Sequence, residues 1–316
     1  MRRIIAALTG LFLLLGSGAL TACGGEREAG ASGGALRVGY QRFGGLSLLK
    51  ARNAAPPGTK WSLFESGPAL TEALKAGSVD IGQVGEAPPI FAAAGRVDFK
   101  IIGTSAPVPR GEAVLVKESR GFRSFRDLKG RTIGLNKGSN VHWLLLRLLE
   151  SNGMTAEDVQ IRYLKPAEGR PAFDNDRIDA WIIWDPYFAL AERPGVRVLA
   201  DASGLANNRE YVLVSPEALK EKAEQLTGFL QQYRRVTDWG RANPADRARV
   251  LAPELKIPED ATRRALARSA QPLAPVDATV GAELQRIADG FAGLDLIPGK
   301  VDMRARVDER YSGIFR

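Results

Sequence analysis

The chain of 316 residues carries one cysteine, one histidine and three methionines. A single thiol excludes an intramolecular disulfide and any cysteine-rich metal centre. A single histidine, His142, leaves too few nitrogen ligands for a zinc-type site, and no convincing Ser-His-Asp set forms around it. The one Gly-x-Ser-x-Gly match, Gly30-Ala31-Ser32-Gly33-Gly34, has neither a strand before it nor a helix after it, as a nucleophile elbow requires. Beyond residue 22 no apolar run reaches the ~20 residues of a membrane-spanning helix. No basic block interleaved with aromatics marks a nucleic-acid surface either. The expectation is a non-enzymatic chain with no catalytic residue, no metal, no cofactor and no nucleic-acid partner.

What is present begins at the first residues. Arg2 and Arg3 precede a mostly apolar run over 4–15, too short to span a bilayer, and Leu20-Thr21-Ala22-Cys23 follows. This order of charge, apolar run and small residues reads as an export signal over 1–22. Leu-Thr-Ala-Cys matches the lipobox of bacterial lipoproteins, so Cys23 is expected to be lipidated and to become the mature first residue. Residues 23–35, rich in glycine and small polar residues, read as a flexible tether, and the eleven from 24 to 34 would span ~18 Å root-mean-square. Acyl chains would hold the protein on the extracytoplasmic face of a membrane while the folded part tumbles above it.

Loss of the leader takes two arginines and no acid from the formal charge of +8. The remaining surplus is spread in short patches such as Arg263-Arg264, a mild field that helps an anionic solute approach. From residue 36 onward β and α patterns alternate. Strands are expected at 36–40, 61–65, 80–84, 100–103, 113–116, 131–135, 159–163, 180–184 and 211–214. Helices are expected at 68–76, after 85–89, and at 124–129, 141–152 and 170–176. From 215 the pattern is mainly helical, interrupted at Pro244, Pro253, Pro258 and Pro275. Such alternation predicts an α/β protein with covered sheets, and its length suits two lobes.

The most informative stretch is Asn136-Lys137-Gly138-Ser139-Asn140-Val141-His142-Trp143, a polar glycine-containing loop between an apparent strand and an apparent helix. A helix start leaves backbone N–H groups unpaired and carries partial positive charge, so it suits a small anion. Ser139 and Asn140 either cap the helix or donate to a ligand, and capping alone accounts for them equally well.

The motifs Val38-Gly39-Tyr40-Gln41, Leu48-Leu49-Lys50-Ala51-Arg52, Gly67-Pro68-Ala69-Leu70, Val84-Gly85-Glu86-Ala87-Pro88-Pro89-Ile90, Gly111-Glu112-Ala113, Leu135 to His142 and Trp184-Asp185-Pro186 occur in that order. In this the chain resembles the aliphatic-sulfonate-binding proteins of ABC importers, within the nitrate, sulfonate and taurine group. The resemblance runs from about 36 to about 235, is looser in the C-terminal helices, and departs from the family pattern at 53–60 and 99–103. It implies a type II periplasmic-binding-protein fold, two α/β lobes with a ligand cleft between them and two crossover segments. The crossings are expected near 114–117 and 211–214, with lobe one at 36–115 plus 213–316 and lobe two at 116–212.

The resemblance also implies a monomer that captures an alkanesulfonate for sulfur supply and hands it to permease and ATPase subunits. Two helix starts would then face each other across the cleft, Gly138, Ser139 and Asn140 from one lobe and Gly85, Glu86 and Ala87 from the other. Gln41 would donate its amide to the sulfonate oxygens. Glu86 either caps its own helix, the plainer reading, or meets a cationic part of a zwitterion. Asp185 and Pro186 form a cap and first-turn pair or reach the ligand, and Trp184 walls the cleft against an aliphatic chain. Asn208 and Arg209 lie beside the second crossing, and His142 is expected to pack near the cleft. Taurine, nitrate, a sulfate ester or a thiamine-precursor pyrimidine stay open as ligands. A pyrimidine-synthase-like enzyme, which would use a histidine and pyridoxal phosphate in the cytoplasm, is opposed by the lipobox.

Overall fold

The computed structural model describes residues 34–269 and 273–316. The leader, Cys23 and nearly all of the tether lie outside the described residues. In chain order the elements are β1 (Arg37–Gln41), α1 (Gly45–Ala51), β2 (Lys60–Phe64), α2 (Gly67–Lys75), β3 (Ile81–Gly85), α3 (Pro88–Ala94), β4 (Lys100–Ser105), β5 (Glu112–Lys117), β6 (Thr132–Leu135), α4 (Asn140–Ser151), β7 (Gln160–Tyr163), α5 (Pro166–Asp174), β8 (Ala180–Trp184), α6 (Tyr187–Ala191), β9 (Val196–Asp201) and β10 (Glu210–Val214). The helices α7 (Pro216–Glu221), α8 (Ala223–Ala242), α9 (Pro244–Leu255) and α10 (Glu259–Arg268) follow, then β11 (Leu273–Ala274) and α11 (Ala278–Gly293). Short 3₁₀ turns complete the chain.

The strands form two mixed sheets, ordered β11-β4-β10-β3-β1-β2 and β7-β6-β8-β5-β9. In the first, β1 runs parallel to β2 and β3, and β10 returns antiparallel between β3 and β4. The second repeats the plan, with β6 parallel to β7 and β8 and β5 antiparallel between β8 and β9. This is the expected type II periplasmic-binding-protein architecture of two α/β lobes and two crossings.

Strand alternation sorts the core, because successive side chains point to opposite faces. Ile102, Val212 and Val214 face a cluster with Leu46, Leu48, Phe229 and Tyr233 from α1 and α8. Their neighbours Ile101, Tyr211 and Leu213 face the other way, onto Leu70, Ile90, Leu284 and Phe291 from α2, α3 and α11. In the second sheet Val114, Val116, Ile133 and Ile182 pack on α4, whereas Ala113, Leu115, Trp181 and Ile183 pack on Phe173 of α5 and Phe188 of α6. Helices thus cover both faces of both sheets, which is why central strands read as near-continuous apolar runs.

Helix α1 and strand β9 are among the elements that escape the sequence pattern. Helix α1 is only seven residues long and buried along Gly45–Leu49, so it shows no amphipathic period. Strand β9 is a half-exposed edge carrying Arg197 and Asp201, with no clean alternation. The crossings also fall earlier than expected. Residues 114–117 and 211–214 lie within β5 and β10, and the chain passes between sheets at 106–111 and 202–209. Val108 N–H donates to the Asn207 carbonyl at 2.9 Å, tying the two crossings together. No helix of the described residues is long and apolar enough to cross a membrane.

Candidate functional site

The carboxyl ends of β1, β3, β6 and β8 converge with the amino ends of β5 and β10, the usual place for a ligand in α/β sheets. Register sets Glu210 opposite Gly85 and Glu112 opposite Trp184. A cleft opens there, lined by Gln41, Gly85, Ser139, Asn140, Trp184 and Asp185 among the residues singled out from sequence. Glu86, Ala87 and Gly138 are not on its wall. Arg42, Phe43, Glu65, Tyr187, Glu210 and Ser269 line it too.

At the start of α4, Ser139 has an extended backbone but makes no side-chain cap; its hydroxyl donates to the Asn136 carbonyl at 2.7 Å. Gly138 sits at φ 73°, the left-handed region glycine tolerates, and its N–H donates to His142 Nδ1 at 3.3 Å. That bond places the imidazole proton on Nε2, which faces the Tyr163 hydroxyl at 3.4 Å. His142 is buried among Phe91, Tyr163 and Phe291. Burial, with Lys137 nearby, pushes its pKa down to about 4, so the ring is neutral near pH 7.

Asn140 bridges the lobes. Its Oδ1 accepts from Ala87 N–H at 3.4 Å and its Nδ2 donates to Asn208 Oδ1 at 2.7 Å. Asn208 Nδ2 in turn donates to the Val108 carbonyl at 3.0 Å. A Cβ at Gly85 would fall 2.1 Å from Asn140 Oδ1, so glycine there makes room for the amide. The N–H at the start of α3 is therefore already satisfied by a side chain from the opposite lobe.

Glu86 does not cap α3. Its Oε2 accepts from the Arg209 N–H at 3.4 Å, beside the second crossing, and its Oε1 has no partner. Burial pushes its carboxyl up to about 7. Glu112, at the start of β5, is fully buried with neither oxygen partnered, and burial together with the Glu86 charge raises it well above the ordinary range. Arg209 is held by Glu283 at 2.9 Å and by the Ser105 carbonyl at 2.7 Å.

On the opposite wall Asp185 receives a two-bond fork from Arg268 of α10, at 2.8 and 2.9 Å. Asp185 Oδ1 also accepts from Ala189 N–H at 3.1 Å, inside α6. This carboxylate is therefore occupied by structure. Trp184 meets Tyr187 edge to face at 6.0 Å, giving the cleft an aromatic side. At the base, the Gln83 side chain links the Tyr233 hydroxyl at 2.7 Å, Leu46 N–H at 3.2 Å and Glu210. Arg42 and Phe43 directly follow Gln41, and Tyr187 follows the Trp184-Asp185-Pro186 motif, so adjacency could have found them. Ser269 and Glu210 carry no local signal. Among the described residues no group of three or more His, Cys, Asp or Glu side chains could hold a metal ion.

Two mixed sheets with a cleft at the strand ends define the protein as one of periplasmic-binding-protein fold. Residues 65–247 match the NMT1/THI5-like family, and the protein belongs to that family. It is 33% identical to the alkanesulfonate-binding protein SsuA of Xanthomonas axonopodis pv. citri bound to MOPS, with a TM-score of 0.83 over 88% of this chain and 99% of that one. It is 37% identical to the periplasmic aliphatic sulphonate binding protein SsuA of Escherichia coli, with a TM-score of 0.78 over 87% and 92% of the two chains. The resemblance read from the ordered motifs is thus borne out. The fold is also that of the desulfurization enzyme DszB, at 16% identity and a TM-score of 0.63 over 88% of this chain and 98% of that one.

Proposed function

We propose that this protein is the lipid-anchored, extracytoplasmic solute-binding component of an ABC importer, and that it captures aliphatic sulfonates between its lobes. The observation that carries this reading is the composition of the cleft. Polar side chains at Gln41 and Ser139 share it with an aromatic side of Phe43, Trp184 and Tyr187. A sulfonate needs such a polar end beside an apolar slot, whereas nitrate needs only a small polar pocket. The likeness to two sulfonate-binding proteins over most of the chain supports the same choice. Cys23 would carry the lipid, and the closed lobes would present the surface that the permease reads.

A binding role also fits the chemistry of the one histidine. His142 is buried, neutral and hydrogen-bonded on both nitrogens, so it acts as packing rather than as a proton carrier. The test is calorimetry on residues 24–316, titrating alkanesulfonates of increasing chain length, taurine, sulfate and nitrate into unliganded protein. Heat with alkanesulfonates is the expected result. Silence with all of them, or a yellow pyridoxal absorbance in the purified protein, would overturn the reading. For the anchor, Cys23→Ser in the full chain should move the protein from the detergent phase to the aqueous phase.

A further inference from the structure

Arg42 is the only lysine or arginine among the described residues that line the cleft. The acids of the wall are accounted for. Asp185 is forked by Arg268, Glu65 accepts from Ala167 N–H of the facing lobe at 2.9 Å, and Glu210 accepts from Gln83. Arg42 differs. Its Nη1 donates to the neutral Leu255 carbonyl at 3.2 Å, Tyr187 lines the same cleft, and no carboxylate pairs with it among the described residues. A guanidinium carries five N–H donors in a planar fork, so most of its donors remain for a ligand.

Elsewhere the cleft has few open donors. Ala87 N–H serves Asn140, Gly138 N–H serves His142, and the Ser139 hydroxyl serves the Asn136 carbonyl. A full positive charge at the cleft, beside the Gln41 amide, therefore stands where the facing helix starts and that amide were expected to hold the anion. We propose that Arg42 is the charge partner of the bound sulfonate and that Tyr187 positions its guanidinium. This rests on the sulfonate reading and adds to it a rule of selection. One cation meets one negative charge, while Glu65 and Glu210 on the same wall repel a second. The cleft accepts monoanionic sulfonates and refuses dianions such as sulfate and hydrogen phosphate.

The experiment compares wild type, Arg42→Gln, Arg42→Lys and Tyr187→Phe by calorimetry with butane-1-sulfonate, its neutral isostere butane-1-sulfonamide, and sulfate, at several salt concentrations. Thermal melts confirm that each variant is folded. Arg42→Gln should weaken butane-1-sulfonate by about 10- to 150-fold, the span of a charged hydrogen bond, and should flatten the salt dependence of the affinity. Sulfonamide binding should change little. Arg42→Lys keeps the charge and loses the fork, so it should recover part of the affinity and all of the salt dependence. Tyr187→Phe should cost less and keep the salt slope. Wild-type silence towards butane-1-sulfonate would overturn the sulfonate reading and this one with it. Wild-type binding with an Arg42→Gln variant of equal affinity and equal salt slope would overturn the role of Arg42 alone, as would sulfate bound as tightly as the sulfonate.

Discussion

Glu86 offers the sharpest test of the physical picture. It is 1% exposed, its Oε1 has no hydrogen-bond partner, and burial moves its carboxyl from 4.5 to about 7. The Glu283 charge pushes in the same direction, and the Arg209 and Asn208 backbone groups, with the Arg209 charge, oppose it. Between pH 4.5 and 7 the native state then holds a proton that the unfolded chain has released. Stability must therefore fall as pH rises through this window and level off above it. At 1.36 kcal/mol per pH unit the loss from this one group is roughly 3 kcal/mol. Glu112 is raised in the same direction, by burial and by the Glu86 charge. Glu86→Gln keeps the shape and cannot ionise. Urea unfolding of both proteins at half-unit intervals from pH 4.5 to 8.5 isolates the effect, because other titrating groups cancel in the difference. The variant should gain on wild type by roughly 3 kcal/mol from the acid to the alkaline end. A difference that stays flat across this range would refute the reasoning, and a gain towards acid would reverse it.

Other outcomes follow from single contacts. Arg268→Ala strands the buried Asp185 carboxylate and should cost about 3–5 kcal/mol of stability near pH 8 by chemical denaturation. Burial already holds Asp185 above its ordinary range, so protonation should soften that cost in acid. Gly85→Ala puts a Cβ 2.1 Å from Asn140 Oδ1 and should break the bridge to Ala87 and Asn208. In a double-mutant cycle with Asn140→Ala the two losses should be clearly non-additive, since both remove the same bonds. Gln41→Ala should weaken sulfonate binding by ~1–3 kcal/mol in calorimetry, and unchanged affinity would remove Gln41 from the site; Ser139→Ala, whose hydroxyl already serves the Asn136 carbonyl, should cost less.

Much of the fold is written locally. The two-residue repeat of Ile101 and Ile102, or of Leu213 and Val214, and the buried stripe of α4 are properties of short windows, so strands, helices and the α/β class can be read from them. The ordered motifs likewise imply that Gln41, Gly85, Ser139, Asn140 and Trp184 share one cleft, and all five line it. Partners across long separations follow a different rule. Asp185 meets Arg268 at a separation of 83 residues, Asn140 meets Ala87 at 53, and Glu86 turns to Arg209 at 123. A side chain's residue type states what bonds it can make, but only packing decides which neighbour supplies them. For that reason the sequence alone determined the architecture and the polar character of the cleft. The tertiary structure decided that Asp185 and Asn140 are spent on structure, that Glu86 is a buried acid with one unpartnered oxygen, and that Arg42 is the one lysine or arginine lining the cleft among the described residues.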